Sequence, residues 1–351
     1  MEEVFSLHLN KITDKESFIV EWMNFLAKTP GDKAGELLTE VSLYQGGINR
    51  LCEVAYNSAS LHPVLYENAS TYFYGKELYL ECKKIGLEAI NRLAVKLVIR
   101  AKITERTIKA ANKLNHNDRL SELYKAAFYS KSTLVHYLRL FRCSGDALLT
   151  RKASKYAQNL PDAYSIKRST SASELNENGI RIEEKMIIRF FNHEFDAIQD
   201  LCKKRNNYLD WNSDLKGRII PLFLLMLDNT KKVSKAKQRI IQSLTTDLRI
   251  SSVDKERFIE DCFRWKKTVQ FTAEQAEIYL LWLDYELAKR ADAIVGGGHR
   301  KIYHKVAELI VFLGEVWESN GDIHKKKTVV EKYKESYSRK RAFKNELDQL
   351  N

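Results

Sequence analysis

Residues 77–100 read ELYLECKKIGLEAINRLAVKLVIR, and this stretch decides the fold. All but one of the steps between its apolar side chains are three or four residues long, the spacing of one face of an α-helix; these side chains are Leu78, Cys82, Ile85, Leu87, Ile90, Leu93 and Leu97. The same spacing dominates the rest of the chain, without the alternating pattern that is typical of strands. The sequence therefore predicts an all-α protein in which 77–100 is one continuous helix.

The composition supports this fold class. The chain has 351 residues, of which 44% are hydrophobic and 30% charged, so it can bury a sizeable core. It holds 4 Pro and 14 Gly, both below the usual shares of about 5% and 7%. A turn-rich sandwich or barrel is therefore disfavoured. At about 150 residues per domain, the length indicates two domains or one long array.

The predicted helices are short and joined by short turns, so they are expected to pack as antiparallel neighbours. Helix pairs of 30–40 residues recur without an exact repeat, which indicates a right-handed α-solenoid similar to a tetratricopeptide array. The longest loop runs over 161–180 and is rich in Ser and Asn. We therefore expect an amino-terminal helical array at 1–160, a loop or linker at 161–180 and a carboxy-terminal array at 181–351. The helices expected after the loop are 182–191, 194–205, 215–227, 233–248, 254–266, 272–294, 299–319, 322–336 and 339–350.

The chain start, the apolar runs and the cysteines favour a cytoplasmic protein without a membrane span. The chain begins MEEV, which is acidic where a secretory signal would be basic. The most apolar run, 219–227, contains Pro221 and is too short for the ~20 residues of a membrane helix. The 5 cysteines are scattered without a close pair, so we expect reduced core thiols and no zinc or redox motif.

The positive charge is concentrated in one region. The net charge is +12, and residues 91–170 carry 17 Lys and Arg against 5 Asp and Glu. Seven cations in this region follow helical spacing on two successive predicted helices: Arg92, Lys96, Arg100, Lys102, Arg106, Lys109 and Lys113. We call these seven residues the basic stripe.

The basic stripe has two interpretations. It is either a surface that tracks phosphates, with an affinity that falls steeply with salt, or an ordinary solvated helix face. Nearby aromatic side chains are candidates for stacking on bases, and equally for the core; they are Tyr124, Phe128, Tyr129, Tyr137 and Phe141.

No catalytic, cofactor-binding or metal-binding residues are predicted. The motifs GxxxxGK[ST], HExxH, GxSxG and GxGxxG are absent from the sequence. Gly296–Gly298 precede a predicted helix but lack the strand and the Lys-Ser/Thr pair of a phosphate loop, so a helix-to-helix turn is favoured. The 8 histidines are dispersed. An enzyme would have to assemble its site from distant residues.

Three stretches resemble a known family. The first two span 99–140 and 208–222; the third is the most specific. It runs from YLLW at 279–282 through KRADAI at 289–294 and HRKIY at 299–303 to AELIVFLGEVWES at 307–319, and closes with YSRKRAF at 337–343. Together they resemble the helical-repeat region that follows the zinc finger in bacterial SWIM zinc-finger proteins, over roughly residues 85 to 351.

The resemblance implies a stand-alone tetratricopeptide-like array from a bacterial cytoplasm. The SWIM finger itself, a CxC pair followed by CxH, is absent from this sequence, so its zinc and DNA binding are not implied. Within the matched region, Arg300, Arg339 and Arg341 are candidates for contact with a partner. Arg300 and Tyr303 are one turn apart and are expected to form a buried hydrogen bond.

The sequence thus predicts a non-enzymatic helical-repeat scaffold that mediates protein–protein interaction, with an unidentified protein partner and no cofactor. The alternative is a nucleic-acid-binding protein that uses the basic stripe.

Overall fold

A computed structural model of the chain describes residues 14–143, 147–166, 173–211 and 214–350. These residues form 17 α-helices and a few single turns of 3₁₀ or π helix, and no strand occurs among them. The prediction of an all-α fold is confirmed. The contacts divide the chain into two compact units, Met1–Ile188 and Arg189–Asn351. The division falls within a helix, beyond the end of the predicted 161–180 loop.

The first unit contains eight complete helices among its described residues and most of a ninth. Their bounds are α1 Lys15–Lys28, α2 Asp32–Asn57, α3 Val64–Gly75, α4 Tyr79–Arg92, α5 Val98–Lys113, α6 Leu120–Ser130, α7 Leu134–Arg139, α8 Ala147–Asn159 and α9 Ile182–Phe191. From α1 to α7, each helix packs against the next along the chain, and α3 also packs against α5. The core includes Leu38, Leu65, Tyr66, Cys82 and Ile103, all with at most 1% of their surface exposed.

The second unit is built around one central helix. Its helices are α10 Phe195–Lys203, α11 Lys216–Leu227, α12 Lys235–Asp247, α13 Lys255–Lys266, α14 Ala273–Ala291, α15 Tyr303–Ser319, α16 Lys325–Ser336 and α17 Arg341–Leu350. The central helix α15 packs against α11, α12, α14, α16 and α17, and eleven of its residues are buried. The sequence predicts all of these helices to within a few residues.

The stretch 77–100 is not one helix, which corrects the prediction. Helix α4 ends at Arg92 and α5 begins at Val98. Between them the backbone is held by residues far along the chain: the Val98 amide donates to the carbonyl oxygen of Asn176, and the Asn178 amide donates to that of Lys96. These two hydrogen bonds fix the segment between α4 and α5 outside either helix, although the apolar spacing continues through it.

The described part of the 161–180 segment packs within the first unit. The Asn178 side chain is buried; its amide group donates to the Tyr129 carbonyl and to Ser132 Oγ, and its Oδ1 accepts from the Ser132 amide. Gly179 lies so close to Ile166 that an added Cβ would be 2.2 Å from Ile166 Cδ1. Residues 167–172 of the predicted loop lie outside the described part of the chain.

Candidate interaction surfaces

Arg100 is not on the surface, which corrects the predicted basic stripe. Only 6% of it is exposed. Its guanidinium donates to the carbonyl oxygens of Ile90 and Ala126 and to Ser130 Oγ, at 2.7–3.4 Å. Burial lowers the pKa of Arg100. Because α4 and α5 are separate helices, the four-residue step from Lys96 to Arg100 does not follow one helix face.

Two further stripe residues make structural contacts. The Arg92 guanidinium carbon lies 3.3 Å from the centre of the Tyr56 ring. Arg106 is half-buried and donates to Ser70 Oγ at 2.8 Å and to the Glu67 carbonyl oxygen. Arg92 therefore links α4 to α2, and Arg106 links α5 to α3.

Five stripe residues are exposed: Arg92, Lys96, Lys102, Lys109 and Lys113. Arg92 is the last residue of α4, Lys96 lies in the break before α5, and the other three lie along α5. Lys113 is in the last turn of α5, where positive charge interacts favourably with the helix dipole. On α5 itself, the exposed part of the stripe is thus a row of three lysines.

Lys102 lines a cavity of about 580 Å³ in the first unit. Its ammonium is 3.8 Å from Glu67 Oε1. The cavity lining is mixed in charge, with more acids than bases; the charged residues are Asp32, Glu36, Glu67, Glu177 and Glu184 against Lys102, Lys131 and Arg181. This environment does not favour a polyanion at Lys102.

The aromatic side chains near the stripe belong mainly to the core. Phe128 and Tyr137 are fully buried, Tyr124 is 8% exposed, and Tyr129 and Phe141 are half-buried. The interpretation of these aromatic side chains as core residues is therefore confirmed for Phe128, Tyr137 and Tyr124.

The three candidate arginines of the second unit, Arg300, Arg339 and Arg341, are exposed. The expected pair of Arg300 with Tyr303 does not form. Tyr303 is buried and its hydroxyl donates to the carbonyl oxygen of Val295 at 3.2 Å. Val295 lies in the π turn that ends α14, so the tyrosine closes that turn, and Arg300 is left on the surface.

The sequence did not single out the exposed face of α14. Ile278, Leu281 and Tyr285 are 58%, 56% and 56% exposed. At about 100° per residue they lie within an arc of about 60° on the helix. Glu274 and Lys289, both exposed, extend the row at either end. We call these five residues the α14 stripe.

The opposite face of α14 is held rigidly. Glu286 is 1% exposed and its Oε2 is 2.6 Å from Lys216 Nζ, which is fully buried. Tyr279 donates to Asp196 at 2.6 Å, and Arg290 donates to the carbonyl oxygen of Tyr208. At its amino terminus α14 has a capping box between Thr272 and Gln275. The α14 stripe is therefore displayed on a well-fixed helix.

A second exposed apolar row lies on α1. Phe18 and Phe25 are 39% and 58% exposed, and the half-buried Trp22 stacks between them. The ring centres are 6.4 Å apart for Phe18 and Trp22 and 5.6 Å apart for Trp22 and Phe25. Their i, i+4, i+7 spacing is that of a helix face that docks on another helix. We call these three residues the α1 row.

The polar groups of the interior act structurally. His136 Nε2 is 2.6 Å from Glu105 Oε1, and its Nδ1 is 2.6 Å from the Lys131 carbonyl oxygen. Both ring nitrogens therefore lie within hydrogen-bond distance of an acceptor oxygen. Burial raises the pKa of Glu105, but the hydrogen bond and charge of His136, with the charges of Arg139 and Lys131, lower it overall to about 2. These contacts join α5 to α7.

The cysteines are free thiols. Burial raises the pKa of Cys52 and Cys82 to about 11 and of Cys202 to about 12, and raises that of Cys262. A thiol with a raised pKa is a poor nucleophile at neutral pH. Among the described residues, no group of three or more His, Cys, Asp or Glu side chains could hold a metal ion.

Of the helices in the described ranges, none combines the length and the apolar character needed to cross a membrane.

Comparisons with family models, with curated proteins and with solved structures found no match to this chain.

Proposed function

We propose that this protein is a non-enzymatic scaffold that binds other protein chains through exposed helix faces. The observation that carries the proposal is the presence, in each unit, of a helix with large apolar side chains at helical spacing on its solvent side. These are the α1 row and the α14 stripe, whose most exposed apolar side chains are 39–58% exposed. Contiguous exposed apolar patches are typical of protein-binding surfaces, whereas isolated apolar residues are not.

The arrangement of helices supports this role. In the first unit, successive helices pack as neighbours, and the α3–α5 contact links alternate helices, as expected for an α-solenoid of helix pairs. We extend the proposal to a right-handed, tetratricopeptide-like array in this unit, where helix faces present apolar side chains to a partner. The raised thiol pKa values and the structural role of the His136–Glu105 pair give no support to an enzyme.

The test of the proposal is capture of partners by the full chain with and without an intact α1 row. The tagged protein is incubated with a lysate of its source organism, and bound proteins are quantified by mass spectrometry. Phe25→Glu places a charge in the exposed aromatic row, and we expect it to lower recovery of specific partners at least about tenfold.

The matched control is Val253→Glu, which changes a residue that is 80% exposed in the second unit and lies outside both apolar surfaces. We expect recovery to be unchanged. Equal recovery of every protein by wild type and Phe25→Glu would contradict a scaffold that uses α1.

A second candidate function is nucleic-acid binding by the exposed cations of the first unit. The observation in its favour is α8, which carries three exposed cations, Arg151, Lys152 and Lys155, and no acidic residue. Lys109 and Lys113 of α5 are also exposed, and none of these five cations pairs with a carboxylate within the described part of the chain.

This candidate is tested by fluorescence anisotropy with single- and double-stranded DNA and RNA. If the basic residues contact several phosphates, the affinity is expected to fall by orders of magnitude between ~50 and ~200 mM salt. The double variant Lys109→Glu/Lys113→Glu is expected to weaken binding at least about tenfold. The control variant Arg257→Glu/Lys267→Glu reverses two exposed cations of the second unit and leaves binding unchanged. Absence of binding at the lowest salt would eliminate this candidate.

A further inference from the structure

The α14 stripe is complementary to itself when a second copy runs antiparallel to it. Ile278 and Tyr285 lie equally far from a midpoint next to Leu281, and so do Glu274 and Lys289. A two-fold axis through that midpoint places Ile278 opposite Tyr285 and Glu274 opposite Lys289. We propose that α14 of one copy binds α14 of a second copy in this antiparallel register. The proposal rests on the protein-binding function above and identifies the partner of one of its two surfaces.

The end charges select the antiparallel direction. In a parallel pair, Glu274 would lie against Glu274 of the second copy and Lys289 against Lys289, which is unfavourable at both ends. In the antiparallel pair both ends join opposite charges. Neither residue forms an ion pair within the described part of the chain, so both charges are available to a partner. The Lys289 ammonium lies 4.8 Å from the centre of the Tyr285 ring and therefore next to the apolar row.

The geometry of the stripe matches a helix seam. Glu274, Ile278, Leu281, Tyr285 and Lys289 follow steps of four, three, four and four residues, and they lie within an arc of about 80°. Apolar residues at alternating three- and four-residue steps are the pattern with which two helices interdigitate. At ~1.5 Å per residue, the stripe is about 22 Å long.

The α1 row lacks this self-complementarity. Its midpoint lies between Glu21 and Trp22, and Phe18 and Phe25 are equally far from it, but so are Lys15 and Lys28. An antiparallel pair of α1 helices would therefore bring lysine against lysine at both ends. A parallel pair would oppose each residue to its own copy, again joining like charges. The charge pattern thus assigns the second copy to α14 and leaves α1 for a different protein.

The acidic residues beside the α14 stripe do not prevent the pairing, because a neighbouring lysine offsets their charge. Glu277 and Asp284 lie on one side of the stripe, and an antiparallel partner would bring these acids near their counterparts. Lys332 of α16 lies 3.7 Å from Asp284 and is 57% exposed, so it supplies positive charge at this flank. The flank therefore carries both signs of charge.

The stripe is small, so the dimer is expected to be weak and reversible. Three half-exposed apolar side chains supply less than the about 800 Å² per partner of a standard interface. We expect association in the micromolar range, and we expect the mass to depend on protein concentration.

The experiment is sedimentation equilibrium of the full chain from ~1 to ~200 μM protein at ~50 mM salt. The mass of the wild-type protein is expected to rise from 40.8 kDa towards twice that value. Leu281→Glu, which places two carboxylates at the two-fold axis, is expected to leave a monomer throughout. A wild-type protein that stays monomeric at the highest concentration would overturn the proposal.

Charge exchange tests the register. Glu274→Lys and Lys289→Glu each replace two favourable end pairs by two like-charge pairs, and each is expected to raise the dissociation constant at least about tenfold. The double variant Glu274→Lys/Lys289→Glu restores both pairs in reversed sense. We expect its dissociation constant to return to within about threefold of the wild-type value. A double variant no tighter than the singles would overturn the antiparallel register.

Two controls complete the experiment. Val253→Glu is expected to dimerise like the wild type, and equal weakening by this variant would count against α14 as the interface. The far-ultraviolet circular dichroism of every variant is expected to match the wild type because all altered positions are exposed. The α1 capture experiment with Phe25→Glu does not depend on this dimer. A monomeric protein that still captures partners through α1 therefore disproves only the α14 pairing.

Discussion

Replacing Lys216 by Met is expected to lower the free energy of unfolding of the second unit by about 3–5 kcal/mol, because it leaves the Glu286 carboxylate buried without its cation. The Nζ and Oε2 atoms are 2.6 Å apart, and the two side chains are 0% and 2% exposed. The loss is measured by urea denaturation followed by tryptophan emission. Four of the five Trp residues, Trp211, Trp265, Trp282 and Trp317, lie in the second unit.

Removal of the opposite partner has a similar expected effect. Glu286→Gln leaves the Lys216 ammonium buried against the Tyr208 ring, whose centre is 4.2 Å away, without a carboxylate. The amide oxygen introduced by this substitution would still accept the indole N–H of Trp282, which in the native protein donates to Glu286 Oε1 at 3.3 Å. The variant therefore isolates the loss of charge from the loss of a hydrogen-bond acceptor.

The double variant Lys216→Met/Glu286→Gln distinguishes an ion pair from two independent packing residues. It contains no buried charge at this position, so it is expected to be more stable than either single variant. The contradictory outcome is additivity, with the double variant losing the sum of the two single losses.

The matched control is Lys203→Met, which removes the cation of a surface pair. Lys203 and Asp200 are 48% and 64% exposed, and their charged atoms are 3.5 Å apart. Because water screens such a pair, the change is expected to alter the free energy of unfolding by less than about 1 kcal/mol. A loss as large as that of Lys216→Met would show that the effect comes from shortening any lysine.

The helices of the second unit could be predicted from the sequence because their signals are local. The sequence predicts α14 at 272–294, and the helix lies at Ala273–Ala291, with its amino terminus fixed by Thr272 and Gln275 three residues apart. Helix α12 begins after Ser234, whose side chain accepts from the Lys237 amide. Caps and apolar spacing within one helix contain the information needed to place it.

The break between α4 and α5 could not be predicted in this way. The apolar spacing continues through Leu93 and Leu97, and the backbone bonds that hold the break come from Asn176 and Asn178, about eighty residues later. The burial of Arg100 follows from the same break. The break determines which side of α5 faces the core, and Arg100 lies on that side. Local periodicity does not contain such tertiary contacts.

The α14 stripe was missed for a different reason. Helix α14 has large apolar residues on two faces: Tyr279, Leu283 and Leu287 are buried, whereas Ile278 and Leu281 are exposed. Periodicity shows that both faces are apolar but does not show which one packs in the core. An apolar helix with two such faces is therefore a signal that a further surface needs a partner.

Gly86→Ala is the second substitution with a large expected effect, here on the first unit. Helix α4 crosses α5 at Gly86, and a Cβ there would be 1.8 Å from Thr107 Oγ1 and 2.9 Å from Thr107 Cβ. Thr107 is fully buried and its hydroxyl donates to the Ile103 carbonyl oxygen at 2.9 Å. We expect the overlap to destabilise the α4–α5 contact by about 1–3 kcal/mol, although alanine is the better helix former by ~1 kcal/mol.

Hydrogen exchange followed by mass spectrometry localises this effect. Peptides that cover 79–113 are expected to exchange about tenfold faster or more, since a tenfold change corresponds to about 1.4 kcal/mol of local opening free energy. Peptides from the second unit serve as an internal reference and are expected to exchange as in the wild type. Uniform acceleration in both units would contradict a local steric cause.

A compensating substitution decides between overlap and a general intolerance of alanine at this position. Thr107→Ala removes the two outer atoms that a methyl group at position 86 would meet, at 1.8 and 3.1 Å, and leaves only the Cβ contact of 2.9 Å. The double variant Gly86→Ala/Thr107→Ala is therefore expected to recover part of the protection that Gly86→Ala loses. Gly75→Ala provides the other limit: it adds a Cβ at the end of α3 with nothing within 4 Å, so protection is expected to stay equal or to rise. If Gly86→Ala behaved like Gly75→Ala, the close approach of α4 and α5 would not be what requires glycine at this crossing.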